Sequence, residues 1–157
     1  MIGELCLNDA LVSGAKEVFE TMIFIDLVQA APDQRIQEDS LLASITFQGD
    51  IEGCMAICCS MDCGKIIACN MLGMEPCSEL SEEEVSDAMG EVSNMVLGSI
   101  KARIQKDVGN INVSIPSVVK GRMLENALGA GTSKVVVKFI IDSNQVAEFS
   151  LTYKGKK

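Results

Sequence analysis

The stretch from Ser81 to about Ile104 constrains this chain most, because a strong helix-start signal is followed by one sustained apolar stripe. In Ser81-Glu-Glu-Glu84 the serine hydroxyl can accept from an orphan amide and Glu84 can return a bond, which is a capping box. The acidic residues also suit the positive end of the helix dipole. At roughly 100° per residue, Val85, Ala88, Met89, Val92, Val96 and Ile100 fall in one broad stripe, which predicts a buried face. Asp87, Glu91, Asn94 and Gly98 cluster within roughly 60° on the opposite side and form an outward face. Gly109-Asn110 breaks the helix, and beyond it Ile111, Val113 and Ile115 alternate as a strand that Pro116 closes or bends.

The rest of the chain must complete the core against that stripe. Residues from about Leu7 to Val28 read as a second long helix, with Leu11, Ala15, Val18, Met22 and Ile25 at steps of three and four. The polar stretch 31–39, with Pro32, behaves as a linker. Ser44–Gln48 and Cys54–Cys59 then read as a hairpin around the turn residues 49–53. A helix from about Asp62 to Leu72 can end at Gly73 in a left-handed cap. A glycine-bearing loop covers about Gly121 to Ser133, and its Gly129-Ala-Gly131-Thr-Ser133 lacks the spacing of a phosphate loop. Strands near Lys134–Ile141 and Val146–Tyr153 form a final hairpin turning at 142–144. This order predicts an α/β chain of the α+β type, a single domain over 1–157, with a largely antiparallel sheet and long helices packed on it. Met22, Met89 and Met95 fit the helix core stripes, and Tyr153 fits strand packing.

Composition narrows the chemistry. With 13 basic and 22 acidic side chains the formal charge is −9, which argues against duplex nucleic acid or an anionic membrane as a partner. The absence of histidine removes Ser-His, Cys-His and zinc-histidine mechanisms. Six of the seven cysteines lie between positions 54 and 77, yet no C-x-x-C pair occurs and the spacings match no common metal site. Cys54, Cys58 and Cys69 are expected to act as small buried hydrophobes. No apolar leader and no membrane-length apolar run is present, so a reduced cytoplasm is the expected setting.

A carboxylate and an amide on a solvated helix face usually do no more than solubilise it. Here Gly90 and Gly98 interrupt the same helix, each at a cost of about 0.5–1 kcal/mol relative to alanine. Gly98 shares the face of Glu91 and Asn94, where bare backbone would let another surface approach closely. Asp87-Ala-Met-Gly-Glu91-Val-Ser-Asn94, followed after twenty-one residues by Pro116, resembles the signature of the CheC, CheX and FliY phosphatases of bacterial chemotaxis, most closely the CheX branch. That signature is Asp or Ser, three residues, Glu, two residues, Asn, twenty-one residues and Pro. The likeness is good over about Leu80 to Gly121 and looser at Val18–Met22 and Ile45–Gly53.

The resemblance implies a pseudo-two-fold CheC/CheX-like architecture and a phosphatase acting on the phosphoaspartate of a receiver domain. Glu91 would dock on the receiver's lysine and Asn94 would position the attacking water. Asp87, Gly98 and Pro116 would belong to the partner-binding surface. This chain would bind no cofactor itself, since the magnesium belongs to the receiver, and a homodimer is implied. An echo, Ser13-x3-Glu17-x2-Glu20, occurs in the first helix, but Glu20 stands where asparagine is required and the proline position holds Leu42. One active site is therefore expected. The alternatives are a receiver-binding scaffold of the same fold without turnover and, from another class, a cysteine-ligated metalloprotein.

Overall fold

The structure is a computed structural model and describes residues 4–31, 33, 36, 40–75, 79–121, 131–141 and 145–155. Helix α1 (Glu4–Val18) buries Leu7, Leu11, Ala15 and Val18, the expected i, i+4 row. At Phe19 the hydrogen bonding widens into a five-residue π-turn, Phe19–Ile23, and Phe24 stops it in the left-handed region at φ 63°. The amides of Phe24 and Ile25 both donate to the Phe19 carbonyl. The long helix expected to reach Val28 thus ends at Ile23, and Val28–Gln29 form a short strand, β1. The cause is tertiary. The Phe19 ring sits edge-on to Phe149 at 5.6 Å, and the wide turn keeps both Phe19 and Ile23 buried. The same widening swings Met22 outwards to 51% exposure, which corrects its expected place on the core stripe.

The first hairpin forms from β2 (Ser40–Gly49) and β3 (Ile51–Ser60), longer and more tightly turned than expected. The last hairpin forms from β6 (Ser133–Ile141) and β7 (Gln145–Gly155). Its turn at 142–144 lies outside the described residues, as do most of the 31–39 linker, residues 122–130 and Cys77. Helix α2 (Met61–Met71) starts on Ser60, whose hydroxyl accepts from the Cys63 amide. It ends as expected at Gly73, φ 68°, where the Met74 and Gly73 amides bond back to the carbonyls of Cys69 and Asn70. Helix α3 (Glu82–Val108) shows both halves of the capping box at 3.1 Å. It runs one turn beyond Ile104, because Val108 is buried as well, and stops at Gly109.

After α3 come β4 (Ile111–Val113) and β5 (Ser117–Gly121), both antiparallel to β2. The single strand expected through Ile115 therefore ends at Val113. Ser114 makes the last contacts of this first stretch with β2: its amide donates to the Thr46 carbonyl at 2.9 Å and its hydroxyl accepts from the Thr46 amide at 3.0 Å. Pro116 has no amide to offer the ladder, so the chain bows out between the two strands. Among the described residues all strand pairings are antiparallel, in the order β1-β6-β7-β3-β2-β4 with β5 also on β2.

This order is symmetric about the β7–β3 pair. Each long helix is followed by short strands that join the outer strand of the other half, β1 on β6 after α1 and β4 and β5 on β2 after α3. The chain thus has the pseudo-two-fold α+β architecture. One face of the sheet, including Ile45, Met55, Phe149 and Val137, packs with the apolar faces of the helices into one core.

Candidate functional site

On α3 the expected division of faces holds. Val85, Ala88, Met89, Val92, Val96 and Ile100 are buried, whereas Asp87, Glu91, Asn94 and Gly98 are all exposed. Several other polar side chains of this helix are engaged. The Ser93 hydroxyl donates to the Gly90 carbonyl at 2.7 Å, Glu84 closes the capping box, and Glu82 pairs with Lys120 of β5. The Lys120 ammonium holds the Glu82 carboxyl below its usual range. Among the described residues, no hydrogen bond or ion pair ties down the side chains of Asp87, Glu91 or Asn94. At i and i+3 the β-carbons of Glu91 and Asn94 stand about 5–6 Å apart. A carboxylate and a carboxamide therefore project together from a rigid helix, free to meet a group from outside.

Pro116 joins this face through Gly90. A β-carbon at position 90 would lie 3.6 Å from Pro116 Cγ and 3.8 Å from a Val118 methyl, so the bend between β4 and β5 rests on the helix there. Asp87 and Asn94 are the i−3 and i+4 neighbours of Gly90, which puts the proline at the flank of the face. Gly98 has open space beyond its backbone. The five residues expected at a site thus fall on one continuous surface.

The echo on α1 is differently placed. The Glu17 carboxylate accepts from Arg103 and from the Ser99 hydroxyl, each at 2.9 Å, and these contacts, Arg103 first, hold its carboxyl below the ordinary range. The two helices approach closely here: a β-carbon on Gly14 would lie 3.0 Å from an Ile100 side-chain carbon. Because α3 stays helical past Ser99 and Arg103, its C-terminal half reaches Glu17. The corresponding end of α1 breaks at Phe24, so no matching turn reaches Glu91. Sequence symmetry alone does not reveal this difference.

Apart from the exposed Cys6, the described cysteines behave as small hydrophobes. Cys54, Cys58 and Cys69 are buried, as are Cys59 and Cys63. Burial pushes the Cys58 thiol up, and the hydrogen bond with Cys63 together with burial pushes Cys59 up, so both stay protonated rather than forming the thiolates that bind metals. Among the described residues no three His, Cys, Asp or Glu side chains are grouped to hold a metal ion, and no helix is long and apolar enough to cross a membrane. One surface residue escapes a reading of alternation. Ile115, expected in a strand, stands on the bend at 88% exposure, and Pro116 directly after it is the signal that could have marked it.

Residues 41–140 match the family model described as chemotaxis phosphatase CheX. No curated protein matches the chain. Several solved structures share the fold. A CheC-like superfamily protein from Shewanella sp. PV-4 aligns with TM-score 0.81 at 22% identity, over 98% of this chain and 100% of that one. The chemotaxis protein CheX of Vibrio vulnificus aligns with TM-score 0.77 at 24% identity, over 93% and 95%. The CheX-CheY-BeF3-Mg complex of Borrelia burgdorferi contains a similar chain, with TM-score 0.73 at 16% identity, over 93% and 96%.

Proposed function

Since the chain belongs to the CheX family of chemotaxis phosphatases, the family model spanning residues 41–140, we propose that it hydrolyses the phosphoaspartate of a CheY-like receiver domain. The observation that carries this reading is the pair Glu91 and Asn94, exposed side by side on α3 and without partners among the described residues. The similar chain captured in a CheX-CheY complex supports a receiver as the partner.

An aspartyl phosphate is an activated acyl phosphate, so its hydrolysis needs a positioned water and charge stabilisation more than a strong base. Asn94 supplies the position. Its carboxamide oxygen accepts a hydrogen bond from the water, and its N–H can donate to a phosphoryl oxygen. The water oxygen bonds to phosphorus as the bond from phosphorus to the aspartyl oxygen breaks. The aspartate carboxylate leaves with that electron pair, and the water's proton passes to phosphate or solvent. Glu91 forms an ion pair with the receiver's lysine, which fixes the register of the two proteins. The receiver brings the magnesium, so no metal site is required of this chain. Gly98 and Pro116 shape the surface that lies against the receiver, and Asp87 borders it.

The test is loss of phosphate from a phosphorylated receiver with the wild type, Asn94→Ala and Glu91→Ala. Asn94→Ala is expected to lose about 100-fold or more of the acceleration, the scale of a lost positioning contact. Glu91→Ala is expected to lose about tenfold in kcat/KM through weaker binding. Binding of phosphorylated receiver without any acceleration by the wild type would leave the scaffold reading in its place.

A further inference from the structure

We propose that Ile115 is a docking residue: it seats on an apolar patch of the receiver domain beside the phosphorylated aspartate and sets affinity for that partner. This inference rests on the receiver reading above and adds to it a residue outside the family signature. Single exposed hydrophobic residues are ordinary on protein surfaces. Ile115 differs in being the most exposed of the large apolar residues described, at 88%, and in being held on both sides. Before it, Ser114 is clamped to Thr46 by two hydrogen bonds at 2.9 and 3.0 Å. After it, the Pro116 ring rests against Gly90 of α3. With the backbone held on both sides, docking Ile115 has to order little more than its own side chain, and a low ordering cost is what makes an anchor effective.

Its position along α3 follows from the two contacts that bracket it. Val113 lines a small apolar crevice with Leu97 and Lys101, while the Pro116 ring lies over the bare backbone at Gly90. Ile115 directly precedes Pro116, and Pro116 lies over Gly90, the residue before Glu91. Ile115, between the two contacts, therefore stands level with the turn that carries Glu91 and Asn94. A body that brings a lysine to Glu91 and a phosphoryl group to Asn94 must also lie over Ile115. The open backbone at Gly98 lets the same body settle closely on the helix.

The experiment measures Kd for a beryllofluoride-activated receiver, and kcat and KM for the phosphorylated receiver, with Ile115→Asp, Ile115→Ala and Ile115→Leu. Val136→Asp, on the face of β6 turned away from the helices, controls for an added charge. Ile115→Asp is expected to raise Kd and KM at least tenfold, Ile115→Ala about threefold, and Ile115→Leu to stay near wild type, with the loss in KM rather than kcat and an unchanged melting temperature. Kd and KM within twofold of wild type for Ile115→Asp would overturn the assignment. So would a change of oligomeric state in that variant, because the residue would then serve a second copy of this chain. If the wild type neither binds nor dephosphorylates any receiver, the functional reading falls and Ile115 with it. If Asn94→Ala abolishes turnover while Ile115→Asp leaves KM alone, the docking residue falls by itself.

Discussion

Position 98 sets helix stability against access. A glycine in the middle of α3 gives up about 0.5–1 kcal/mol relative to alanine, and a β-carbon there would meet nothing within 4 Å. No packing within the described fold explains the glycine, unlike Gly90, which lies under Pro116. Gly98→Ala should therefore raise unfolding free energy by about 0.5–1 kcal/mol in urea melts. Gly98→Leu should keep much of that gain, yet lower kcat/KM toward a phosphorylated receiver by about tenfold, since a large side chain would hold the partner off Asn94. A stabilised Gly98→Leu with full activity would remove position 98 from the contact surface. At this scale Glu91 and Asn94 were legible in the sequence, because spacing on a helix fixes which side chains share a face. Ile115 was not, because its exposure depends on where a ladder on β2 gives out.

The two long helices show which element properties a sequence carries. The start of α3 is written in four consecutive residues, and both bonds of its capping box are present. The end of α1 is decided elsewhere, by the Phe19 ring against Phe149 of β7, and local periodicity ran past it to Val28. Unequal helix ends also leave the two halves with unequal exposed groups, since Ser99 and Arg103 of α3 occupy Glu17 whereas no described side chain occupies Glu91. Restoring the missing asparagine on α1 is then insufficient to make a second site. Glu20→Asn, placed in the Asn94→Ala background, should give phosphate release no faster than Asn94→Ala alone. Recovery of a tenth or more of wild-type turnover would mean that the Glu17 contacts open readily and that geometry does not separate the halves.

For the whole molecule, the sequence indicated the succession of helices and hairpins but not their joining, because the partners of a strand are set by packing rather than by its own residues. The joint is the β3–β7 ladder, running from Ile51 opposite Gly155 to Cys59 opposite Ala147. Gly53 lies in it opposite Tyr153, where an added β-carbon would fall 2.1 Å from the Thr152 carbonyl oxygen and 2.9 Å from Tyr153 Cα. Those are backbone atoms of the neighbouring strand, so relief requires the ladder itself to shift. The Phe47 ring, 2.7 Å away on the other side, blocks an easy escape. The substitution that stabilises α3 at position 98 should here destabilise, with Gly53→Ala costing about 3 kcal/mol, the upper range for overpacking. If the ladder joins the halves into one cooperative unit, urea unfolding followed by far-ultraviolet circular dichroism and by hydrogen exchange of β2 and β6 amides should give one coincident transition at lower midpoint. Separate transitions for the β2 and β6 halves would mean that each half is stable without the seam, and that the chain behaves as two units rather than one.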